Sequence, residues 1–234
     1  MEKILYLGWR DPAQSRNAFF ADLRERLAPA LQAAGARGLR LNLDDDAVRE
    51  ADGIRQRVFD PPPDALLQVW VDSAIGFLRS GIDAAVTASV PRHAAYLVTE
   101  SQAIVNRAHP PQPGLRTEGF AQLAILRRPP RLSPAQWLDI WHNGHTPVGI
   151  ETQSNFEYVQ NVVVRPLTPD APAIDAIVEE CFPAAAMRDP YVFFDAAGDE
   201  AKFRRNLERM MTSVHRFIDP GTIDVIPSSQ YRMF

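Results

Sequence analysis

The chain has 234 residues, of which 46% are hydrophobic and 23% charged, with a net charge of −4 and one cysteine, Cys181. This length supports one large domain or two small ones, and a single cysteine excludes an internal disulfide. The slightly acidic charge, without a block of Lys or Arg, argues against a nucleic-acid partner. No apolar run is long enough to cross a membrane and no signal peptide is apparent, so we expect a cytoplasmic protein.

Residues 1–108 alternate between strand-like and helix-like patterns. Strands are predicted at Lys3–Trp9, Gly38–Leu43, Ala65–Val71 and Tyr96–Ser101. Ser15 opens a helix that ends near Gly35, and a second helix runs from Ile75 to about Ser89. Its first helix carries apolar residues at four-residue spacing, namely Phe19, Leu23, Leu27 and Leu31. The predicted order of elements is therefore β-α-β-β-α-β.

Residues 109–118 begin with the sequence HPPQPG and are predicted to be a linker. The same order of elements then repeats in residues 119–234. Strands are predicted at Phe120–Leu126, Tyr158–Val164, Ile174–Glu180 and from Thr222 to Pro227, and helices at Ser133–Pro147 and Asp199–Phe217. Both halves show the split βαβ pattern of ferredoxin-like domains, which is an α+β fold.

An alignment of Ser15 with Ser133 supports a duplication. Phe19 then falls on Trp137, Leu23 on Trp141, Leu27 on His145 and Pro29 on Pro147. The first half would thus contain a structural helix, whereas the second half has polar groups at the same place.

The stretch SPAQWLDIWHNGHTP, residues 133–147, is the one most suited to chemistry. Ser133 is a good N-cap, and Pro147 is expected to stop the helix. Trp137, Trp141 and His145 recur every four residues and share the face that we expect to point toward the sheet, with His142 at its rim. A helix end at this point would favour protonated histidine.

These residues suggest a site for acid–base chemistry. We predict His145 as the base or acid, with His142 assisting. Tyr158 and Asn161 would donate hydrogen bonds to a developing oxyanion, and the two tryptophans, Trp137 and Trp141, would bind a flat, apolar substrate. The alternative is that all of these side chains, the tryptophans above all, belong to the core.

The second half resembles the EthD family of the dimeric α/β-barrel superfamily. The resemblance covers roughly residues 119–232 and rests on Leu132, Ser133, Trp137, Trp141, His142, His145 and Pro147, then on Tyr158–Asn161, Asp175 and Phe217–Asp219. It implies that two ferredoxin-like units join their sheets into a barrel, here within one tandem chain whose first unit has a degenerate site. A further homodimer is possible.

The resemblance implies less about the reaction. Fungal relatives decarboxylate or dehydrate aromatic polyketides, and neighbouring families include cofactor-free monooxygenases, muconolactone isomerase and haem enzymes. We therefore expect a lyase that acts on a small aromatic or enolisable molecule and needs neither cofactor nor metal. Alternatives are a cofactor-free monooxygenase or isomerase, and a non-catalytic ligand-binding or stress-associated barrel. By analogy with haem-binding relatives, His93, His109 or His215 could be a haem ligand. The acidic corner Asp44–Asp46 is expected to be solvated rather than a metal site.

Overall fold

The computed structural model describes residues 1–234 and contains a closed antiparallel barrel of eight strands. The strands are β1 (Glu2–Trp9), β2 (Gly38–Leu43), β3 (Ala65–Val71), β4 (Arg92–Ile104), β5 (Phe120–Leu126), β6 (Glu157–Pro166), β7 (Ala176–Phe182) and β8 (Asp224–Arg232). Around the barrel they follow the order β1-β3-β2-β8-β5-β7-β6-β4. The prediction of an α+β barrel is therefore confirmed.

Each half of the chain supplies one side of the barrel. The first half contributes β4-β1-β3-β2 and the second contributes β8-β5-β7-β6, so the strands of the two halves follow the same relative order. Two seams join the halves, one between β2 and β8 and one between β4 and β6. The linker follows β8, since the Gly114 and Thr117 amides donate to Arg232 and Gln230 carbonyls at 2.7 and 2.8 Å.

Helices cover the outside of the barrel. They are α1 (Arg16–Asp22), α2 (Ala28–Ala33), α3 (Gly76–Ser89), α4 (Pro134–Asp139), α5 (Thr146–Thr152), α6 (Pro190–Phe193) and α7 (Glu200–Val214). In the first half, the apolar row that the spacing predicted is fully covered: Phe19, Leu23, Leu27 and Leu31 are each 0% exposed. None of the helices combines the length and hydrophobicity that crossing a bilayer requires.

The inside of the barrel has an apolar part and a polar part. Leu5, Leu7 and Tyr96 belong to the apolar cluster. In the polar part, Arg40 lies 2.9 Å from both Glu157 and Glu179. Burial opposes the ionisation of Glu179, but Arg40 and three amide donors hold its pKa below the usual range. Cys181 is buried beside them, and burial raises the pKa of its thiol.

Several element boundaries differ from the sequence prediction. β4 begins four residues earlier than the apolar pattern indicated, because these residues pair with β1, and β8 extends further because its end pairs with β2 along a seam. Residues Asp46–Ile54 form a 3₁₀ helix. The expectation of a solvated acidic corner is wrong for Asp44, which is buried and pairs with Arg16 and Arg55.

Candidate active site

The helix that begins at Ser133 starts as predicted. The Ser133 hydroxyl accepts the Gln136 amide hydrogen at 3.3 Å, and the Gln136 side chain accepts the Ser133 amide hydrogen at 3.0 Å. This capping box satisfies two amide donors of the first turn, and Pro134 occupies a position where no amide hydrogen is needed.

The end of this helix was predicted wrongly, because Pro147 does not stop it. Residues Ile140–His145 form a π-helical turn, and the chain continues as α5. A proline inside an α-helix lacks a donor and clashes with the carbonyl four residues before it. The wider turn avoids this conflict, since the Thr146 amide bonds to the Trp141 carbonyl, five residues back. His142 and His145 therefore lie within a continuous helical segment rather than at a helix end.

An open cleft of about 690 Å³ lies between the outer face of the second-half sheet and the helical segments that cover that face. Its lining is mostly apolar and aromatic, with contributions from Trp141, Phe193, Met210 and Phe217. His145, Tyr158 and Glu180 also line it. The first half contributes to the same cleft through Ile54 and Arg55, so the cleft lies at the junction of the two halves. Its volume falls within the range of small-molecule sites, about 300–1,000 Å³.

His145 lies in the cleft, as predicted. Its Nδ1 is 3.0 Å from the Ser213 hydroxyl, and its ring centroid is 4.7 Å from that of Phe217. Burial lowers its pKa to about 4, so the imidazole is neutral near pH 7. The sequence set a helix terminus, which would favour protonation, against burial, which opposes it; here burial dominates, because the helical segment continues past His145.

His142 does not line the cleft. It is half-buried against Trp141, with ring centroids 4.7 Å apart, and its Nε2 is buried without a hydrogen-bond partner. Burial lowers its pKa as well. His142 is three residues from His145 on the helical segment and is therefore close to it in space. Nevertheless, Trp141 lies between His142 and the cleft.

The two tryptophans have different surroundings. Trp137 is buried outside the cleft and donates its indole hydrogen to the Phe217 carbonyl at 3.0 Å. Trp141 lines the cleft and donates to the Tyr158 hydroxyl at 3.3 Å. Trp137 is therefore placed as a core residue, and Trp141 as part of the cleft wall.

Tyr158 lines the cleft and is almost fully buried. Its hydroxyl oxygen accepts hydrogen bonds from Trp141 and from Gln160, the latter at 3.0 Å, and neither bond uses the hydroxyl hydrogen. Burial, with a smaller contribution from the charge of Glu180, raises the pKa of Tyr158 to about 12. The phenol is therefore a neutral donor.

Asn161 does not lie in the cleft, which corrects the prediction. It is three residues from Tyr158 on β6, so it faces the opposite side of the strand. There it donates to the Ile177 carbonyl at 3.0 Å inside the barrel.

Sequence reasoning missed Glu180. This buried carboxylate on β7 lines the cleft and accepts hydrogen bonds from Asn155 at 2.9 Å and Gln122 at 3.3 Å. Burial raises its pKa to about 7, because two neutral amides do not compensate for lost hydration. A usable signal existed: two adjacent glutamates in an apolar strand must face opposite sides, so one had to face the helices.

The remaining histidines are scattered. His215 lies at the cleft, whereas His93 contacts the Val90 carbonyl and His109 lies 2.9 Å from Glu118. No three His, Cys, Asp or Glu side chains form a group that could hold a metal ion.

The fold is an α/β barrel. Its cleft places the ionisable groups of His145, Tyr158 and Glu180 along a mostly apolar and aromatic wall. A comparison with known protein families finds a match within the second half. Residues 129–221 match the EthD domain, as the histidine motif predicted. The match covers only this segment, which is less than half of the chain.

One solved structure shares the fold across almost the whole chain, and two others match it less well. An anthrone oxidase-like protein superposes with a TM-score of 0.56 at 9% identity, covering 99% of this chain and 93% of its own. A putative monooxygenase from Lactobacillus acidophilus NCFM gives 0.43 at 8% identity, covering 100% and 93%. A putative chlorite dismutase gives 0.45 at 10% identity, covering 98% and 95%. No curated protein matches the chain in sequence.

Proposed function

We propose that the protein is an enzyme that transfers protons to and from a small, flat, hydroxylated or enolisable aromatic molecule bound in the cleft. The observation that carries the proposal is the grouping of a neutral imidazole, a phenol donor and a carboxyl group of pKa about 7 along one mostly apolar wall. Of these groups, Glu180 titrates near the working pH, where acids and bases are most efficient, whereas His145 is present there in the unprotonated form that can accept a proton. This chemistry needs no cofactor.

In the proposed mechanism, His145 is the base. When its Nδ1 hydrogen is donated to Ser213, Nε2 carries the lone pair that removes a proton from the substrate. Tyr158 donates its hydroxyl hydrogen to the oxyanion that develops, and Trp141 and Gln160 hold that hydroxyl in place. Glu180, which exchanges protons near neutral pH, accepts or returns the proton. His142 has no direct part in this scheme.

The deprotonated substrate has two possible fates. Loss of carbon dioxide or water would make the enzyme the lyase that the family resemblance favours. Attack on molecular oxygen would make it a cofactor-free monooxygenase, which agrees with the name of the anthrone oxidase-like structure. Anthrone is therefore the first substrate to test: one molecule of anthrone and one of oxygen would give anthraquinone and water.

The experiment is a turnover assay in air and under nitrogen, with anthrone and with hydroxylated aromatic acids. We expect turnover by the wild type and by the control variant His109→Gln, which is remote from the cleft, and loss of turnover in His145→Ala. Dependence on oxygen identifies the oxygenase, and release of carbon dioxide or water without oxygen identifies the lyase. Binding of these compounds without turnover would leave a ligand-binding barrel and overturn the proposal.

We also propose that residues 1–108 and 119–234 are tandem ferredoxin-like units joined by the linker 109–118, and that the first unit has lost its site. The equal strand order of the two halves supports this division. A homodimer stays a prediction, which the mass of the protein in solution would test.

A further inference from the structure

A second cleft, of about 400 Å³, opens at one end of the first-half sheet, is lined mainly by charged side chains and shares Arg55 with the first cleft. It is formed where β1 and β2 end and where α1, β3 and β4 begin. Six arginines and four aspartates line it: Arg10, Arg16, Arg49, Arg55, Arg57, Arg92, Asp44, Asp45, Asp52 and Asp64. The cleft thus carries a net positive charge in a chain whose net charge is −4.

The aspartates neutralise only some of these arginines. Asp44 binds Arg55 through two contacts of 2.9 Å and lies 3.0 Å from Arg16. Asp64 lies 3.5 Å from Arg10. Arg49 pairs instead with Asp46, at 2.7 Å.

Arg57 and Arg92 form no ion pair or hydrogen bond with any side chain. Arg92 is nevertheless held in place, because its guanidinium group lies 5.0 Å from the centre of the Trp9 ring. Trp9 is itself fixed by a 2.9 Å hydrogen bond to the Pro61 carbonyl.

Two further donors of this cleft are not available to a ligand. The Nε atoms of Arg10 and Arg16 are covered by protein and form no hydrogen bond, and Arg10 Nε faces Asp64 at 3.5 Å. The groups that a ligand can reach are therefore the exposed guanidinium groups of Arg57 and Arg92, which have no acidic partner.

We propose that this cleft binds the phosphate group of a small phosphate monoester. Such a group carries about −1.5 to −2 charges near pH 7, which matches the two arginines without acidic partners. Arginine binds phosphate through paired, charge-assisted hydrogen bonds and keeps this ability when stacked on an aromatic ring. The cavity is larger than a bare phosphate needs and so leaves room for an organic group. The proposal is independent of the function assigned to the first cleft.

The test is calorimetric titration of the full chain with glycerol 3-phosphate, with inorganic phosphate, malonate and glycerol as comparison ligands. The variants are Arg57→Gln, Arg92→Gln and the double variant. Arg107→Gln is the matched control, since this exposed arginine also lacks ion-pair partners but lies outside the cleft. Arg57 has no stacking contact, so its variant should keep the fold even if Arg92→Gln does not.

We expect the wild type and Arg107→Gln to bind glycerol 3-phosphate equally, and each cleft variant to bind about tenfold more weakly, the effect of one charged hydrogen bond. Glycerol should not bind. The proposal is overturned if the wild type does not bind the ester at millimolar concentration. It is also overturned if Arg107→Gln weakens binding as much as Arg57→Gln, or if malonate binds more tightly than both phosphates.

Discussion

The first long helical segment of each half has the same construction but different contents. Both segments have a serine N-cap, a π-helical turn and a proline after that turn. The amide hydrogen that closes the turn is donated by Ala28 to the Leu23 carbonyl in the first half, and by Thr146 to the Trp141 carbonyl in the second. In the first half, the equivalent side chains fill a tight core. In the second half, Trp137 is a core residue, but Trp141 and His145 border a cleft. The two halves thus share the helical geometry and differ in the space beneath it.

The difference is sharpest at one equivalent pair, Leu27 and His145. Leu27 is fully buried among apolar side chains, whereas His145 has a single polar partner, Ser213, and faces open volume. A wide turn at a proline is therefore compatible with either packing or chemistry. What distinguishes the halves is the side chain placed at its end.

The largest expected effect is on activity. Replacing His145 with leucine gives the second half the residue of the first, and we expect kcat/KM to fall by about 10²–10⁴-fold, the usual contribution of a general base. Stability should change by no more than about 1 kcal/mol, because apolar burial offsets the lost bond to Ser213. Urea unfolding and steady-state kinetics measure the two effects. Unchanged kinetics would remove His145 from the mechanism.

The reciprocal change concerns stability alone. Leu27→Ala should lower the free energy of unfolding by about 2–5 kcal/mol, the range for a buried leucine that leaves a cavity. Because the first half has no part in the proposed chemistry, kcat per folded molecule should stay unchanged. Denaturant titration and active-site-normalised kinetics provide the measurements, and a loss of kcat in the folded variant would contradict the division between the halves.

A third prediction concerns pH. Glu180 has a folded-state pKa of about 7, above its unfolded value, so its contribution to stability is complete below about pH 4.5 and is lost as pH rises to about 7. The buried His145, with a pKa of about 4, acts in the opposite sense: stability rises between about pH 4 and 6.5. The two slopes oppose each other in the wild type.

Single variants should expose these slopes. Glu180→Gln should gain stability relative to the wild type as pH rises from 5 to 8, by roughly 2–3 kcal/mol in total. It should also lose the limb of the kcat/KM profile near pH 7. Urea unfolding at several pH values tests this. Parallel pH curves for variant and wild type would mean that Glu180 titrates normally.

The smallest effect is at the helix caps. Ser15→Ala and Ser133→Ala should each cost about 0.5–2 kcal/mol. The loss should be greater at Ser133, where Gln136 completes a capping box, than at Ser15, where Ala18 is the equivalent residue. Equal losses would show that the reciprocal bond contributes nothing.

Most of the fold was predictable because strand alternation and helical spacing are local properties. The helix starts, the apolar row at Phe19–Leu31 and the EthD motif all followed from short patterns. The π-helical turns were not predictable in this way, since Pro147 signals a helix end unless the packing of the following turn is known.

The site was predicted in part. His145, Trp141 and Tyr158, which the sequence grouped into one candidate site, line the same cleft, because helical and strand periodicity put them on facing surfaces; their roles stay predictions. The misplacement of Asn161 was avoidable, since the alternation of β6 excludes it from the face of Tyr158. Ser213 and Gln122 could not be found, because their contacts join elements distant along the chain.

The closed barrel has a consequence for fragments of the chain. The sheet of each half ends on two strands whose outer edges pair across the seams, β2 and β4 in the first half and β6 and β8 in the second. Separated from its counterpart, either half would present two unpaired strand edges and an uncovered inner face, the features that promote self-association. We therefore expect that the second half, which contains the EthD match, depends on the first half to cover its strand edges, even if the first half contributes no catalytic group.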